Sequence, residues 1–422
     1  MKQTAIIGTG IAGLGCAHFL HQQSELTLYE KNDYAGGHSN TVLIPEENRS
    51  LPVDTGFMVF NKVTYPNLTR LFRELGVAIK PAPMSFSVQH LPTGLEYSGT
   101  SLNHLFAQRK NLLRPRFWKM IRQINRFNLE AVNALNAPRY QNHTLGEYVR
   151  ERNYGEDFLN FYLIPMSSAV WSTRPDLMLE FPAAPLLRFF HNHGFLGLHT
   201  QHPWFTVVNG AKAYVEKLTA PFRDKIHLRR AAASVRREGG RVKVTDAAGR
   251  TETFDQVIFA SHADETLRLL ADADEHERAV LGEFKYQPNT AILHTDASLM
   301  PRNKLCWSSW NYRMANGPDG RIVPSTVYWM NSLQGVSDRQ NYFVSINGEN
   351  FIQPAAILKR IQYEHPVFSL GAIRAQWDLP KLNERPGNVF FCGSYFRHGF
   401  HEDAFTSALE LCRLLTGKRL LG

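Results

Sequence analysis

Only 4 cysteines occur among the 422 residues, with no CxxC pair and no metal-ligand spacing. A disulfide-built scaffold and a cysteine metal centre are therefore excluded. The expected setting is the cytosol, with four buried thiols. No run of 18 apolar residues is present, so no helix is expected to cross a membrane. The opening stretch MKQTAIIGTGIAGLGCAHFL has a lysine before an apolar run, as an export signal would. Its 4 glycines and a histidine interrupt that run, and export is not expected. No internal repeat and no low-complexity tract is found. Finally, acid is missing from one long stretch: from Tyr97 to Leu129 there is no Asp or Glu.

What fills that stretch is base and hydrophobe. Arg109, Lys110, Arg114, Arg116, Lys119, Arg122 and Arg126 alternate with Leu112, Leu113, Phe117, Trp118, Ile121 and Ile124, in a chain of net charge +9. Pro115 is expected to open a helix there. A basic amphipathic segment, residues 97–129, carrying Trp and Phe suits an anionic membrane surface. A solvated helix face over a core is the plainer reading of the same pattern. Nucleic acid is not expected as a partner, since no basic motif of a known reader is present. At 43% hydrophobic and 20% charged, the chain is long enough for two domains with full cores.

The N-terminus reads as strand, glycine turn and helix, with the turn at Gly8-Thr-Gly10-Ile11-Ala12-Gly13. Gly8 permits the tight turn, Gly10 lets the backbone approach a pyrophosphate, and Gly13 lets helix and strand pack closely. The helix N-terminus offers free N–H groups to phosphate. A second strand, LTLYEK, ends at Glu30, 22 residues after Gly8, followed by Lys31. The Glu30 carboxylate can accept both ribose hydroxyls and would repel a 2′-phosphate. Dinucleotide binding is the expectation.

A second glycine cluster, Gly36-Gly37-His38, follows at once, then LPVDTGFMVFN with Asp54, Gly56 and Phe57. An NAD enzyme has no use for this pair. The stretch resembles the second signature of the flavin-containing amine oxidase superfamily, which includes phytoene desaturases and protoporphyrinogen oxidases. There the glycines bring backbone close to FAD. The family has Gly-Gly-Arg where this chain has His38, and Asp54 and Gly56 match its Asp-x-Gly loop. Asp54 holding the turn is the plainer role. At the C-terminus, GNVFFCGSYFRHGFHEDAFTSALELCRLL resembles the family's last FAD motif. A buried-type strand, Val389 to Cys392, leads to Gly393 and Ser394. Then come Gly399, Phe400, His401, Glu402 and Asp403, opening a helix whose N-terminus suits the anionic reduced flavin. Glu402 and Asp403 also suit the helix dipole without any catalytic role. Phe400 stands where amine oxidases place a cage tyrosine.

The resemblance implies an α/β fold: a Rossmann-like FAD-binding domain of the glutathione-reductase and amine-oxidase type, with an interleaved α+β substrate domain. The FAD domain is expected over 1–75, 205–265 and 380–422, the substrate domain over 76–204 and 266–379. Strands are expected around two turns, Gly239-Gly240 and one ending at Gly249. FAD is expected to be non-covalent, and no metal is expected.

A narrower resemblance rests on FPAAPLLRFFHNHGFLGL, WNYR, TVYWMNSLQG and GFHEDAFTSA. They look like bacterial FAD-dependent oxidoreductases often encoded beside cyclopropane-fatty-acid synthases, a group with one branch linked to desaturation of methylated acyl chains. This implies hydride removal to flavin N5 from a methyl-branched or cyclopropane-type acyl chain of membrane lipid. Aromatic segments such as FLNFYLIPM would line an apolar tunnel, or form ordinary core. Catalysis is expected near Phe400, with His398, His401, His294 and the pair His191/His193 as possible bases. An amine oxidase, a flavin-dependent isomerase and a non-catalytic membrane flavoprotein are the rival readings. No motif names the electron acceptor.

Overall fold

The computed structural model describes residues 1–197 and 200–421; Leu198, the end of one of the segments quoted above, lies outside them, as do His199 and Gly422. The N-terminal strand Lys2–Ile7 sits in the middle of a five-stranded parallel sheet. Its neighbours are Ser24–Tyr29 and Gln256–Phe259, flanked by Ile226–His227 and Val389–Phe391. Parallel strands need covered faces, and these read as apolar runs for that reason. Each strand comes from one of the stretches 1–75, 205–265 and 380–422. The helix Ile11–Leu20 packs on the C-terminal helix His401–Thr416, and a Cβ built on Gly15 would lie 3.0 Å from the Phe405 ring. The two glycine turns at 239–240 and 249 join Ala232–Glu238, Arg241–Asp246 and Thr251–Phe254 into an antiparallel meander, as expected.

A second, seven-stranded sheet lies within 76–204 and 266–379. Its order is Ile357–Val367, Lys285–His294, Phe343–Ile346, Ile322–Trp329, Trp310–Asn316, Phe86–His90 and Leu95–Ser98. All its pairings are antiparallel except that of Trp310–Asn316 with Phe86–His90. Period-2 alternation puts Tyr312 and Met314 on an apolar face and Asn311 and Arg313 on the other. On the apolar face Tyr312, Val88 and Tyr97 pack against Phe106, Phe117 and Met120. Phe117 and Met120 belong to the long helix Pro115–Ala134, which starts at the proline as the sequence leads one to expect.

All four cysteines are buried and free. Cys16 and Cys392 converge, with sulfurs 3.7 Å apart, a proximity that chain spacing conceals. Among the described residues no helix is long and apolar enough to cross a membrane.

Candidate active site

One cavity of about 1320 Å³ runs between the two sheets. It exceeds the roughly 300–1,000 Å³ of a typical single-ligand pocket, leaving room for a dinucleotide and a substrate together. Its floor is the glycine turn. Gly8 has φ +99°, a left-handed value that favours glycine. Around a Cβ built on Gly10 there is no protein atom within 4 Å, so the turn opens straight onto free space. Ile11 and Ala12 line the cavity at the helix N-terminus. Gly13 serves packing instead: its Cβ would fall 2.0 Å from the Gly8 carbonyl oxygen.

The second glycine cluster is pressed against the first. Gly36 N–H donates to Thr9 O at 2.9 Å, and a Cβ on Gly37 would lie 3.1 Å from Gly10 Cα. Both have positive φ, +124° and +59°. Gly56 then stacks on the pair, its Cβ position 2.3 Å from His38 O, while Phe57 N–H bonds that same oxygen. Glu30 closes one end of the cavity. It accepts from the Thr9 and Asn32 N–H groups at 3.2 and 2.8 Å, and Lys31 beside it pairs with Glu265 at 2.6 Å. His38 lines the wall with its Nε2 buried and unpartnered, stacked 4.6 Å from Tyr363. At the other end lie Gly393, Ser394, Gly399, Phe400 and His401. Here Phe400 stacks on Phe189 at 4.7 Å, and Trp171 is 4.7 Å from Phe189, forming one aromatic wall.

Several expected site residues turn elsewhere. Asp54 does not line the cavity: it accepts from Ala211 N–H at 2.9 Å and from Gln334 and Thr41, clamping three segments together. Burial raises its pKa to about 6. Glu402 likewise faces away, capping the helix Pro66–Glu74 through the N–H groups of Asn67 and Leu68, each at 2.9 Å. His398 is no base in the cavity; its carbonyl accepts from Trp171 Nε1, and its ring is not part of the lining. His294 ends the strand Lys285–His294 and is not part of the lining; its ring is bonded to Ser345 Oγ at 2.8 Å. His191 is exposed. His193 is held by Phe189 O and Thr64 Oγ1, both at 3.0 Å. His401 lines the cavity, but its ring stacks on Phe57 at 3.9 Å and its Nε2 is 2.7 Å from the Tyr214 hydroxyl. Burial drives its pKa down to about 3, so it is a neutral packing group rather than a free base. The residue sequence reasoning missed is His365, on the edge strand Ile357–Val367. It lines the cavity, and no local motif marks it.

The glycine cradle, the open floor at Gly10, the acid at Glu30 and the orphaned His38 nitrogen fit a flavin dinucleotide. Sequence comparison agrees: residues 11–416 match the family described as flavin containing amine oxidoreductase. The chain belongs to that family. Its cofactor is FAD, and it is an oxidoreductase. Solved structures share the fold. A candidate protoporphyrinogen oxidase from Exiguobacterium sp. 255-15 is 16% identical, with TM-score 0.69 over 98% of both chains. Putrescine oxidase bound to putrescine is 13% identical, with TM-score 0.67 over 99% of each. A CLA-producing fatty acid isomerase from P. acnes is 16% identical, with TM-score 0.66 over 99% of this chain and 98% of that one. No curated protein matches in sequence. In this family member, Gly8, Gly10, Ile11, Ala12, Glu30, Gly36, Gly37, His38 and the Gly399–His401 turn are the groups in place to hold FAD. The bound flavin supplies a two-electron hydride acceptor.

The buried carboxyls at the C-terminal helix give one test. Asp403 accepts from Phe400 N–H at 2.9 Å, shaping the turn, and burial raises it to about 7, as it does Glu402. Both folded pKa values lie above the unfolded ones. The stability they contribute is full below about pH 4 and is lost as pH rises through 7. The melting temperature is therefore expected to fall from pH 5 to 8. Asp403→Asn should flatten that slope by about one proton, ~1.4 kcal/mol per pH unit. Equal slopes in a thermal-shift series across this range would rule the ionisation out.

Proposed function

We propose that this flavin enzyme takes hydride from a C–H bond of a fatty acyl chain held in membrane lipid. One observation carries the reading. The lining residues between Met84 and Trp204 in the chain include Phe86, Leu105, Ile121, Ile124, Met166 and Val170, with the uncharged polar Thr100, Asn125, Asn128 and Gln201 among them, and no Asp, Glu, Lys, Arg or His of that stretch joins them among the described residues. An uncharged aliphatic chain loses nothing by entering such an arm, whereas a cationic amine would be desolvated with no counter-charge. Removal of a hydride needs orientation and exclusion of water more than a charged catalyst. The hydride would pass with its electron pair to the flavin, the proton on the adjacent carbon would pass to solvent, and a C=C bond would remain.

Exposed apolar residues close in the chain to the lining support a membrane approach. Leu102, Leu112, Leu113 and Trp118 are 75%, 46%, 88% and 41% exposed, beside the lining residues Thr100, Leu105 and Ile121. Arg116 and Arg126 are engaged by Asp157 and Glu130. Lys110, Arg114, Lys119 and Arg122 form no ion pair among the described residues, leaving them for anionic headgroups. At about 1 kcal/mol per basic residue, exchanging these four for Ser should reduce flotation with anionic vesicles by roughly a thousandfold. Unchanged flotation would remove the membrane from the proposal.

The deciding experiment is anaerobic addition of phospholipid with methyl-branched or cyclopropane acyl chains to the holoenzyme. Bleaching of the flavin bands is expected. Bleaching by amines and not by lipid sinks the acyl reading. A second reading, isomerisation of an acyl double bond, draws on the apolar arm and on the fold shared with the fatty acid isomerase. It requires turnover with pre-reduced flavin and no net bleaching.

A further inference from the structure

Beside the flavin end of the cavity, three polar side chains form a ladder with only one consistent set of hydrogen-bond directions. Thr290 N–H can only donate, so the atom it meets on Asn347, at 3.1 Å, is the oxygen Oδ1. The Asn347 amide nitrogen therefore faces Asn289 Oδ1, 2.8 Å away. That orientation leaves Asn289 Nδ2 with two N–H bonds. One goes to the Ser172 carbonyl at 3.0 Å, which can only accept. The other reaches His365 Nδ1 at 2.7 Å. Backbone groups anchor both ends, so the amides cannot flip without placing oxygen against oxygen. Asn347 and Ser172 both adopt left-handed φ, +60° and +50°, which turns them toward the ladder, and Gln287 also donates to the Ser172 carbonyl.

A neutral imidazole whose Nδ1 accepts must carry its proton on Nε2. The groups around the ring keep it neutral. His38 is 5.2 Å away and Tyr363 6.4 Å between ring centres, His262 lies beyond His38, and no carboxylate bonds the ring. Burial holds the His365 pKa down at about 4. Two neighbours place this ring along the dinucleotide rather than in the acyl arm. His38 belongs to the glycine-pair segment, and a Cβ on Gly399 would lie 3.2 Å from Pro366 Cγ.

We infer that His365 is a fixed, uncharged Nε2–H donor to an acceptor atom of the flavin ring, and that Asn289 is the positioning residue that locks its tautomer. A preorganised donor of this kind stabilises charge that accumulates on the ring during hydride uptake without reorganising. It does so as a neutral group, leaving no proton to be lost between pH 5 and 9. The inference rests on FAD and is independent of the acyl substrate, so the failure of either reading is visible without the other.

The test has two parts. In the ¹⁵N spectrum of histidine-labelled holoenzyme, with His365→Gln used for assignment, His365 should show the Nε2–H tautomer from pH 5 to 9. Its Nε2–H proton should move downfield when FAD is added to the apoprotein. An Nδ1–H tautomer, or an imidazolium at pH 7, overturns the inference. In the second part, His365→Phe keeps the ring and removes the donor. Its flavin should show a shifted absorption maximum and a reduction equilibrium about tenfold less favourable, ~30 mV for a two-electron couple. His365→Gln should restore part of that shift, and Asn289→Leu should give a mixture of tautomers. An unchanged potential in His365→Phe, or a loss of FAD affinity with no change in potential, refutes the contact with the ring. Should His365→Phe fail to retain flavin, the downfield shift in the unaltered protein decides.

Discussion

Gly13→Val is expected to yield a protein with no bound flavin and a greatly lowered melting temperature. The Cβ it introduces would sit 2.0 Å from the Gly8 carbonyl oxygen and 3.3 Å from Ala260 Cβ. The first of these neighbours is backbone in the tight turn, and Lys2–Ile7 before it is paired on both sides. Neither can withdraw, so the cost should exceed the ~1–3 kcal/mol of ordinary overpacking. Gly10→Ala makes the informative contrast. Its methyl meets no protein atom within 4 Å, so the apoprotein should melt as the unaltered one does. The same methyl occupies the space where the pyrophosphate must approach, and FAD affinity should fall about a hundredfold, ~2.7 kcal/mol. Isothermal titration of the two apoproteins with FAD separates fold from binding. Full affinity in Gly10→Ala would mean that the cofactor does not rest on this turn.

The second large effect is expected in the apolar arm. Val170 lies on the helix Ile164–Trp171, one turn after Met166, and both side chains line the cavity. Val170→Trp fills free volume rather than core, so the holoenzyme should keep its flavin spectrum and its stability within ~1 kcal/mol. Bleaching by long-chain phospholipid should fall at least about a hundredfold, because a displaced chain no longer presents its C–H bond within roughly 3–3.5 Å of the acceptor. Reduction by dithionite, which needs no arm, should proceed as before. Lipid bleaching at the original rate would show that the chain enters elsewhere.

How much of this was legible beforehand follows from range. The fingerprint turn, the second glycine pair and the Gly399–His401 turn are local: each requires small residues or particular φ values within a few positions, and the structure places all three on one cavity. The strand and turn pattern of 232–254 was equally local. Side-chain destinations were not. Asp54 and Glu402 sit within FAD motifs, yet their carboxylates bond Ala211, Gln334, Asn67 and Leu68, partners drawn from distant segments. The expected bases failed for the same reason: half-buried His401 is bonded to Tyr214, and buried His193 to Thr64 and Phe189.

The basic stretch shows the division most directly. Its composition is plain from Tyr97 to Leu129, but composition cannot say which cations are free. Arg116 is tied to Asp157, 41 positions away, while Arg114 and Lys119 beside it are not. By itself the sequence determined the family, the cofactor and the backbone that cradles it, because dinucleotide binding depends on glycine conformations set by near neighbours. Only the tertiary structure decided which side chains face the cavity, and that His365 joins His38, His262 and His401 at its wall. Those facts depend on residues far apart in the chain, such as Ser172 and His365, being brought together through a shared partner, Asn289.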